Sequence, residues 1–483
     1  MINRVQKSTF KQLLTDELGF QPTNDQRNTI EQLSDFLWTF ASPHSDGLEL
    51  FILTGYAGTG KTSLIGAFVN TLPHLKMKSV LLAPTGRAAK VLSNYSKSKA
   101  TTIHRKIYFK NEAQGAEYFT LGQNKHTNTL FIVDEASMIS THSGMQSDDG
   151  YNHRNLLDDL IEYVYSGQNC KLIFVGDKGQ LPPIGMAQSP ALEKQHLLTE
   201  YSLDIYTSEL SEIVRQEKAS GILDIAGSLR VWEEMPPELP VNAKDAKAIT
   251  GMDLQEELES AVSQFGGDDV MVVTRSNKRA NLFNEQIRRR ILWQEEDLNA
   301  GDVIMATRNN YHWLDAKSEA GFIANGELME ILKIVRREEI FGCEFADVIV
   351  RLIDYPDMKD IELKILLNSL RYEGPSLSRE HMKQLFYRIA SEEYPYLKNK
   401  RERNRKVMQN PYFQALQVKF GYAVTCHKAQ GGQWSAVFVD QGYFVEDMWD
   451  TEYMRWLYTA ITRAKERLYL VNFSPAFVGD PDF

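Results

Sequence analysis

Leu48-Glu-Leu-Phe-Ile-Leu-Thr-Gly55-Tyr-Ala57-Gly58-Thr59-Gly60-Lys61-Thr62-Ser63-Leu-Ile-Gly-Ala-Phe-Val69 is the stretch that decides the fold. Its apolar start, 48–53, reads as a buried parallel strand, and 63–69 reads as the helix that follows. Between them stands a complete G-x-x-x-x-G-K-[ST] loop in the strand–loop–helix setting that gives the pattern its meaning. Gly55, Ala57, Gly58, Thr59, Gly60 and Ser63 let backbone N–H groups curl around phosphates, and the helix N-terminus adds a positive dipole end. Lys61 is placed to reach the β- and γ-phosphates of ATP. The Thr62 hydroxyl is placed to ligate Mg²⁺.

A phosphate loop of this kind needs a carboxylate for the metal. Working outward, Thr129-Leu-Phe-Ile-Val-Asp134-Glu135 supplies one: an apolar strand that ends in two acids. Asp134 at the strand tip holds Mg²⁺ in this reading, and Glu135 orients or deprotonates the attacking water. A third strand, Lys171-Leu-Ile-Phe-Val175, runs into Gly176-Asp177-Lys-Gly-Gln180. There the Gln180 amide faces the γ-phosphate at the carboxyl edge of a parallel sheet, where ligands of α/β proteins bind. Loop, acid pair and third turn, in that order, form a RecA-like core.

With those residues in place the chain resembles the superfamily 1 helicases, in particular the RecD/Dda branch, over roughly residues 22–471. Thr23-Asn-Asp-Gln26 resembles the family's adenine-reading glutamine motif. Leu82-Ala-Pro84-Thr85-Gly-Arg-Ala-Ala-Lys90 resembles motif Ia, and Thr101-Thr102-Ile-His104 motif Ib. Asp134–Glu135 is motif II, and 176–183 motif III. Leu210-Ser-Glu-Ile-Val-Arg215-Gln216 resembles motif IV, Thr425-Cys-His427-Lys428-Ala-Gln430-Gly431 motif V, and Tyr458-Thr-Ala-Ile-Thr462-Arg463-Ala464 motif VI. The resemblance implies that Pro84, Thr85, Thr102, His104, Thr425, His427 and Lys428 contact single-stranded DNA. It also implies that Gln430 and Gly431 join the nucleotide site. Arg215 and Arg463 are the cationic candidates for charge developing on the γ-phosphoryl group. The whole set of motifs, read by that resemblance, implies a monomeric motor that grips Mg-ATP between two RecA-like domains. Such a motor moves 5′→3′ on single-stranded DNA and opens ss/ds junctions.

The expected architecture is α/β: two RecA-like parallel-sheet domains, with a short hairpin insertion in the first and an SH3-like, partly helical insertion in the second. The first domain takes 1–104 and 129–230. The second takes 231–310 and 411–483, with strands at 269–273, 436–439 and 468–471 and helices over 277–292 and 454–462. Residues 105–128, with Tyr108, Phe109, Tyr118 and Phe119 flanking a turn near Gln114-Gly115, read as a β-hairpin. In the family this position holds a pin that splits the duplex, which calls for an aromatic face to stack on the last base pair. The bland alternative is that these aromatics only pack on the parent domain. Residues 311–410 form the second insertion: 325–332 and 346–350 alternate like barrel strands, and the family resemblance suggests an SH3-like fold. Its helical part, 377–407, carries Lys398-Asn-Lys-Arg401-Glu-Arg403-Asn-Arg405-Lys406, a run that either meets DNA phosphates or is a solvated helix face. The polar stretch 140–155 reads as a surface loop without a functional account, and the first 20 residues are uninformative.

Composition adds exclusions. The chain has 483 residues, 43% hydrophobic and 24% charged, ordinary for a globular protein of two to four domains. No apolar stretch approaches the roughly 20 residues that cross a bilayer, and the polar N-terminus lacks a signal-peptide core. Cys170, Cys343 and Cys426 have neither disulfide nor zinc spacing, which fits a reducing cytosol. A net charge of −10 does not advertise a nucleic-acid binder, yet a groove needs only local positive potential. Three rivals stay open at this point: a DNA-stimulated translocase that remodels protein–DNA complexes without unwinding, an RNA helicase, and a regulatory nucleotide-binding module.

Overall fold

The structure is a computed structural model and describes residues 7–39, 48–111, 118–141, 155–214, 220–230, 235–241, 244–315 and 318–479. The chain divides into two compact units, Met1–Arg230 with Thr451–Thr459, and Val231–Asp450 with Ala460–Phe483.

In the first unit the strands at 49–55, 129–133 and 171–176 are buried along their whole length. Such runs suit a parallel sheet covered on both faces, where neither side of the strand meets water. They lie in a six-stranded sheet in the spatial order Ala100–Thr102, Lys78–Ala83, Thr129–Val133, Lys171–Gly176, Glu49–Gly55, Asp204–Leu210. Every neighbouring pair is parallel. One face packs on the helices Lys7–Leu18, Asn24–Trp38 and Lys61–Thr71 through Phe10, Leu33, Leu37 and Phe68. The other face packs on Leu156–Tyr165 and its neighbours through Leu157, Leu160 and Val164. The helix Lys7–Leu18 arises from a segment whose pattern was uninformative; Phe10, Leu14 and Leu18 form its buried stripe. The strand Asp204–Leu210 is not evident in the sequence either, because it is half polar and pairs only at the sheet edge.

Residues Tyr108–Asn111 and Tyr118–Leu121 pair antiparallel, Phe109 facing Thr120, so the expected hairpin forms. The turn at Gln114-Gly115 lies outside the described residues, as does 142–154 of the polar stretch after motif II.

The second unit holds a five-stranded parallel sheet in the order Ala423–Thr425, Val270–Thr274, Trp434–Asp440, Ala464–Val471, Ala246–Ile249. It also holds a closed five-stranded barrel of Val303–Ala306, Leu328–Ile340, Cys343–Leu352, Ile361–Leu366 and Leu416–Phe420. The barrel reaches beyond 311–410 at both ends. Val303–Ala306 and Leu416–Phe420 pair with each other and close it, a long-range match that no local pattern announces. Between the last two barrel strands the chain forms the helices Arg379–Glu392 and Lys400–Met408, in place of one helical stretch over 377–407. Pro395 sits in the break, where its ring could not continue a helix. No helix among the described residues is long and apolar enough to cross a membrane.

Candidate active site

Three adjacent strands of the first unit meet at one carboxyl edge, where Gly55 ends the strand 49–55 and Asp134 and Asp177 follow the strands 129–133 and 171–176. The phosphate loop turns through Gly58 at φ 76° and Gly60 at φ 77°, left-handed values that glycine adopts freely. Gly60 is the N-cap of Lys61–Thr71 and offers no side-chain cap, so the first N–H groups of the helix are left for an anion. Lys61 Nζ donates to the carbonyls of Gly55 (2.7 Å) and Tyr56 (2.9 Å) and lies 3.8 Å from Asp177 Oδ2.

Gln26 is fully buried against this loop. Its Nε2 donates to the Thr59 carbonyl (3.0 Å), and its Oε1 accepts from Thr23 N–H (3.1 Å) in the capping box of the helix Asn24–Trp38. A Cβ at Gly60 would stand 2.7 Å from that Nε2. Both ends of the Gln26 amide are therefore held by protein, and it supports the loop; reading adenine would require one end to let go. Its neighbour Asp25 was not predicted. Its Oδ2 accepts from Ser211 N–H (2.8 Å), Ser211 Oγ (2.7 Å) and Glu212 N–H (3.0 Å), which anchors the start of motif IV. Arg215 of that motif lies outside the described residues.

Asp134 is buried, with Oδ1 accepting from Glu135 N–H (2.9 Å). Burial first, and the Glu135 charge second, push its carboxyl up to about 7, against the pull of Lys61. A buried acid crowded by a half-buried one fits a cation, and the Thr62 hydroxyl of the phosphate loop is the neutral oxygen such an ion takes. Among the described residues no group of three His, Cys, Asp or Glu could hold a metal alone, so a cation here would depend on phosphate oxygens and water as well. Gln180 is buried, and its Oε1 has no hydrogen-bond partner among the described residues. An orphaned amide end beside a phosphate loop is a ready partner for a water or a phosphate.

The sequence alone assigned no role to Tyr458, Asp177 or Arg230. Tyr458 is buried; its hydroxyl accepts from Ala57 N–H (2.7 Å) and donates to Asp177 Oδ2 (2.8 Å). Asp177 Oδ1 accepts from Gly179 N–H (2.8 Å). Arg230 donates to the Ala57 carbonyl (3.0 Å) and lies over the Tyr56 ring. Both backbone groups of Ala57 are thus held by side chains remote in sequence.

Among the first unit's candidate DNA residues, Thr85 and Thr102 are helix N-caps whose hydroxyls accept from Ala88 N–H (3.2 Å) and Arg105 N–H (3.3 Å). Each O–H remains able to donate to a phosphate. Pro84 precedes that first cap. His104 packs near the Tyr108 ring, and burial pulls its imidazole down to about 4, so it is neutral at pH 7. The two aromatics of the first hairpin strand part company. Tyr108 donates to the buried Asp159 (2.7 Å), an anchor on the parent domain, whereas Phe109 is 54% exposed.

In the second unit Thr425 ends its strand and caps the short helix Cys426–Ala429, which carries His427 and Lys428. Lys428 donates to Asn325, and burial lowers its ammonium to about 8. Gln430 is buried, and Gly431 follows at φ 74°. Arg463 is buried, donating to the Gly432 carbonyl (3.2 Å) and to Thr462 Oγ1 (3.1 Å), which ties motif VI to motif V.

Comparison with known proteins follows the same division. The AAA domain family matches residues 40–235, and the UvrD-like helicase C-terminal domain matches residues 420–471. An uncharacterized protein of Acanthamoeba polyphaga mimivirus is 24% identical over 91% of this chain and 99% of its own. The ATP-dependent RecD2 DNA helicase of Deinococcus radiodurans is 22% identical over 89% of this chain but 48% of its own length. The ATP-dependent DNA helicase dda of Enterobacteria phage T4 is 26% identical over 58% of this chain and 62% of its own. A crystal structure of Pif1 helicase from Bacteroides with ADP-AlF3 and ssDNA aligns over 95% of this chain and 94% of its own, at 15% identity and a TM-score of 0.46. An ATPase family model thus lies over the first group of motifs and a helicase family model over motifs V and VI, a pairing that supports likeness to the superfamily 1 helicases of the RecD/Dda kind.

Proposed function

We propose that this protein is a Mg-ATP-driven DNA helicase that moves along single-stranded DNA and separates the duplex at a junction. The observation that carries the reading is the convergence of Lys61, the Asp134–Glu135 pair and the orphaned Gln180 amide at one edge of one parallel sheet. In this reading the loop N–H groups bind the triphosphate, and Lys61 leaves the Gly55 and Tyr56 carbonyls for the β- and γ-phosphates. Thr62 and Asp134 hold Mg²⁺, which neutralises phosphate charge when bound. Glu135 takes the proton of the attacking water, and the free Gln180 amide orients that water. Arg215 and Arg463 stabilise the charge that develops on the γ-phosphoryl group. Thr85, Thr102, His104, Thr425, His427 and Lys428 take the DNA strand by its backbone, which gives slight sequence preference. Polarity of 5′→3′ and action as a monomer are carried over from the RecD/Dda branch.

The test is unwinding of partial duplexes with either a 5′ or a 3′ single-stranded tail, in Mg²⁺ and ATP. Unwinding of the 5′-tailed substrate alone is the expected result. ATP turnover that single strands stimulate, without unwinding of either substrate, would leave a translocase; stimulation by RNA above DNA would move the assignment to RNA.

A further inference from the structure

The helices Arg379–Glu392 and Lys400–Met408, with the turn between them, carry an excess of positive charge. Between 379 and 406 there are nine Lys or Arg against four Glu, within a protein whose net charge is −10. Several basic side chains elsewhere in the same unit are matched to acids: Arg279 to Asp440, Arg288 to Asp302, Arg336 to Glu338 and Asp347, Arg351 to Glu330 and Asp360. Lys383, Lys398, Lys400, Arg401, Arg405 and Lys406 are all exposed, and none of their side chains has a hydrogen bond or ion pair with another described residue. Arg401 and Arg405 stand one helical turn apart, where like charges repel.

This repulsive face is mounted on a firm base. Leu385, Ile389 and Val407 are buried with Phe341, Phe345 and Ala415 in a core of their own. Ser378 and Asn399 cap the two helices. Two tyrosines lie beside the cations with their rings in solvent: Tyr387, 60% exposed, follows Lys383 by one turn, and Tyr396, 70% exposed, precedes Lys398 by two residues. Unpaired cations interleaved with exposed aromatic rings are complementary to a polyanion that also offers flat faces to stack on.

Resting on the helicase reading, we propose that this helical surface is a second nucleic-acid site, which takes the phosphodiester backbone of a single strand outside the motor site. Lys398, Arg401 and Arg405 neutralise phosphates, and Tyr387 and Tyr396 stack on unpaired bases. The site reads no sequence, because its charges address phosphates and every base has a face.

The experiment compares two full-length triple variants of equal charge change: Lys398→Gln/Arg401→Gln/Arg405→Gln on this surface, and Arg289→Gln/Arg336→Gln/Arg351→Gln elsewhere on the same unit. Binding of a short oligothymidylate of roughly 10 nucleotides and a long one of roughly 40 is titrated against NaCl. For the long strand, the first variant is expected to lower the slope of log K against log salt by about 2, as three lost phosphate contacts on a single strand require. The control variant leaves the slope within about 0.5 of wild type, and neither variant changes ATP turnover stimulated by the short strand. Tyr387→Ala/Tyr396→Ala should weaken the long single strand at least about tenfold and leave a blunt duplex of equal length unaffected. Equal slopes for the two triple variants would overturn the proposal and leave the face to solvent or an acidic protein. Equal loss on single strand and blunt duplex would overturn the stacking role. Wild-type turnover stimulated by the short strand shows the helicase reading intact in either case, whereas its absence would strike that reading first.

Discussion

The hydroxyl of Tyr458 joins two parts of the ATPase machinery 120 residues or more apart: the phosphate loop through Ala57 N–H and the motif III carboxylate through Asp177. Burial first, and the Asp177 charge second, hold the phenol far above its ordinary range, so it donates to the carboxylate and stays protonated. In Tyr458→Phe the ring still fills its place against Tyr56, but Asp177 Oδ2 loses its donor and, among the described residues, keeps the Lys61 ammonium at 3.8 Å. That carboxylate then competes with phosphate for Lys61. A buried hydrogen bond to a charged group contributes about 1.5–3 kcal/mol, so the free protein should melt several degrees lower and ATP affinity should fall by up to roughly 10- to 100-fold. Asp177→Asn added to Tyr458→Phe removes the competing charge and should recover part of that affinity, a coupling that a double-mutant cycle reads directly. Loss of melting temperature without loss of nucleotide affinity would reduce Tyr458 to packing. His104 gives a pH-dependent counterpart. Its folded-state value of about 4 lies below the roughly 6.5 of an unfolded imidazole, so the unfolded chain binds the extra proton between those values. Stability from this residue is complete above pH 6.5 and is lost as pH falls towards 4, by about 1–3 kcal/mol. Denaturant titrations of wild type and His104→Gln at pH 7 and pH 5 should show the smaller pH difference in the variant.

At the scale of elements, the first hairpin strand separates its two aromatics by task. Tyr108 is tied to Asp159, whereas Phe109 lies over Gly122 with half its surface in water, where it can meet a base pair. A Cβ at Gly122 would stand 2.0 Å from the Phe109 ring, so only glycine admits that placement. Phe109→Ala is expected to cut forked-duplex unwinding at least about tenfold, through lost stacking, and to leave strand-stimulated ATP turnover near wild type. The opposite end of the sheet concerns stability. Lys171 and Glu49 pair in the buried interior on adjacent strands, with Thr39 donating to the same Glu49 oxygen (2.7 Å). Lys171→Met leaves a buried carboxylate and should cost about 3–5 kcal/mol in urea unfolding, whereas Glu49→Leu/Lys171→Met should be near neutral. These elements also show what a sequence can disclose. The strands 49–55, 129–133 and 171–176 were legible because buried parallel strands are apolar without interruption, and the phosphate loop because its glycines and lysine answer to one ligand. Asp204–Leu210 was hidden by its polar edge residues, and the barrel closure at 303–306 and 416–420 by a separation of over a hundred residues. Tyr458 stood inside a recognisable motif, but its partner Ala57 is 401 residues away, and no local signal links them.

For the whole molecule, a charge of −10 and a phosphate-binding function are reconciled by where the positive groups stand. The nucleotide loop relies on backbone N–H groups and one lysine, a local field that distant acids hardly oppose across a Debye length of about 8 Å. Nucleotide binding should therefore persist at salt concentrations that strip DNA from the protein, since DNA affinity falls with every counterion reclaimed. Lys61→Ala isolates the local term. Among the described residues its ammonium hydrogen-bonds only the loop carbonyls and lies near Asp177, so its removal should shift the melting temperature of the free protein by no more than about 2 °C. A non-hydrolysable ATP analogue with Mg²⁺ at about 100 times its Kd stabilises the wild type by about 2.7 kcal/mol. That appears as a rise of several degrees in a thermal melt. In Lys61→Ala the rise should vanish at the same concentration, and in wild type a chelator should reduce it, because Asp134 and Glu135 then face the triphosphate without a cation between them. A wild-type rise that the chelator leaves unchanged would remove Asp134 from the metal site and leave its raised carboxyl to act as an acid.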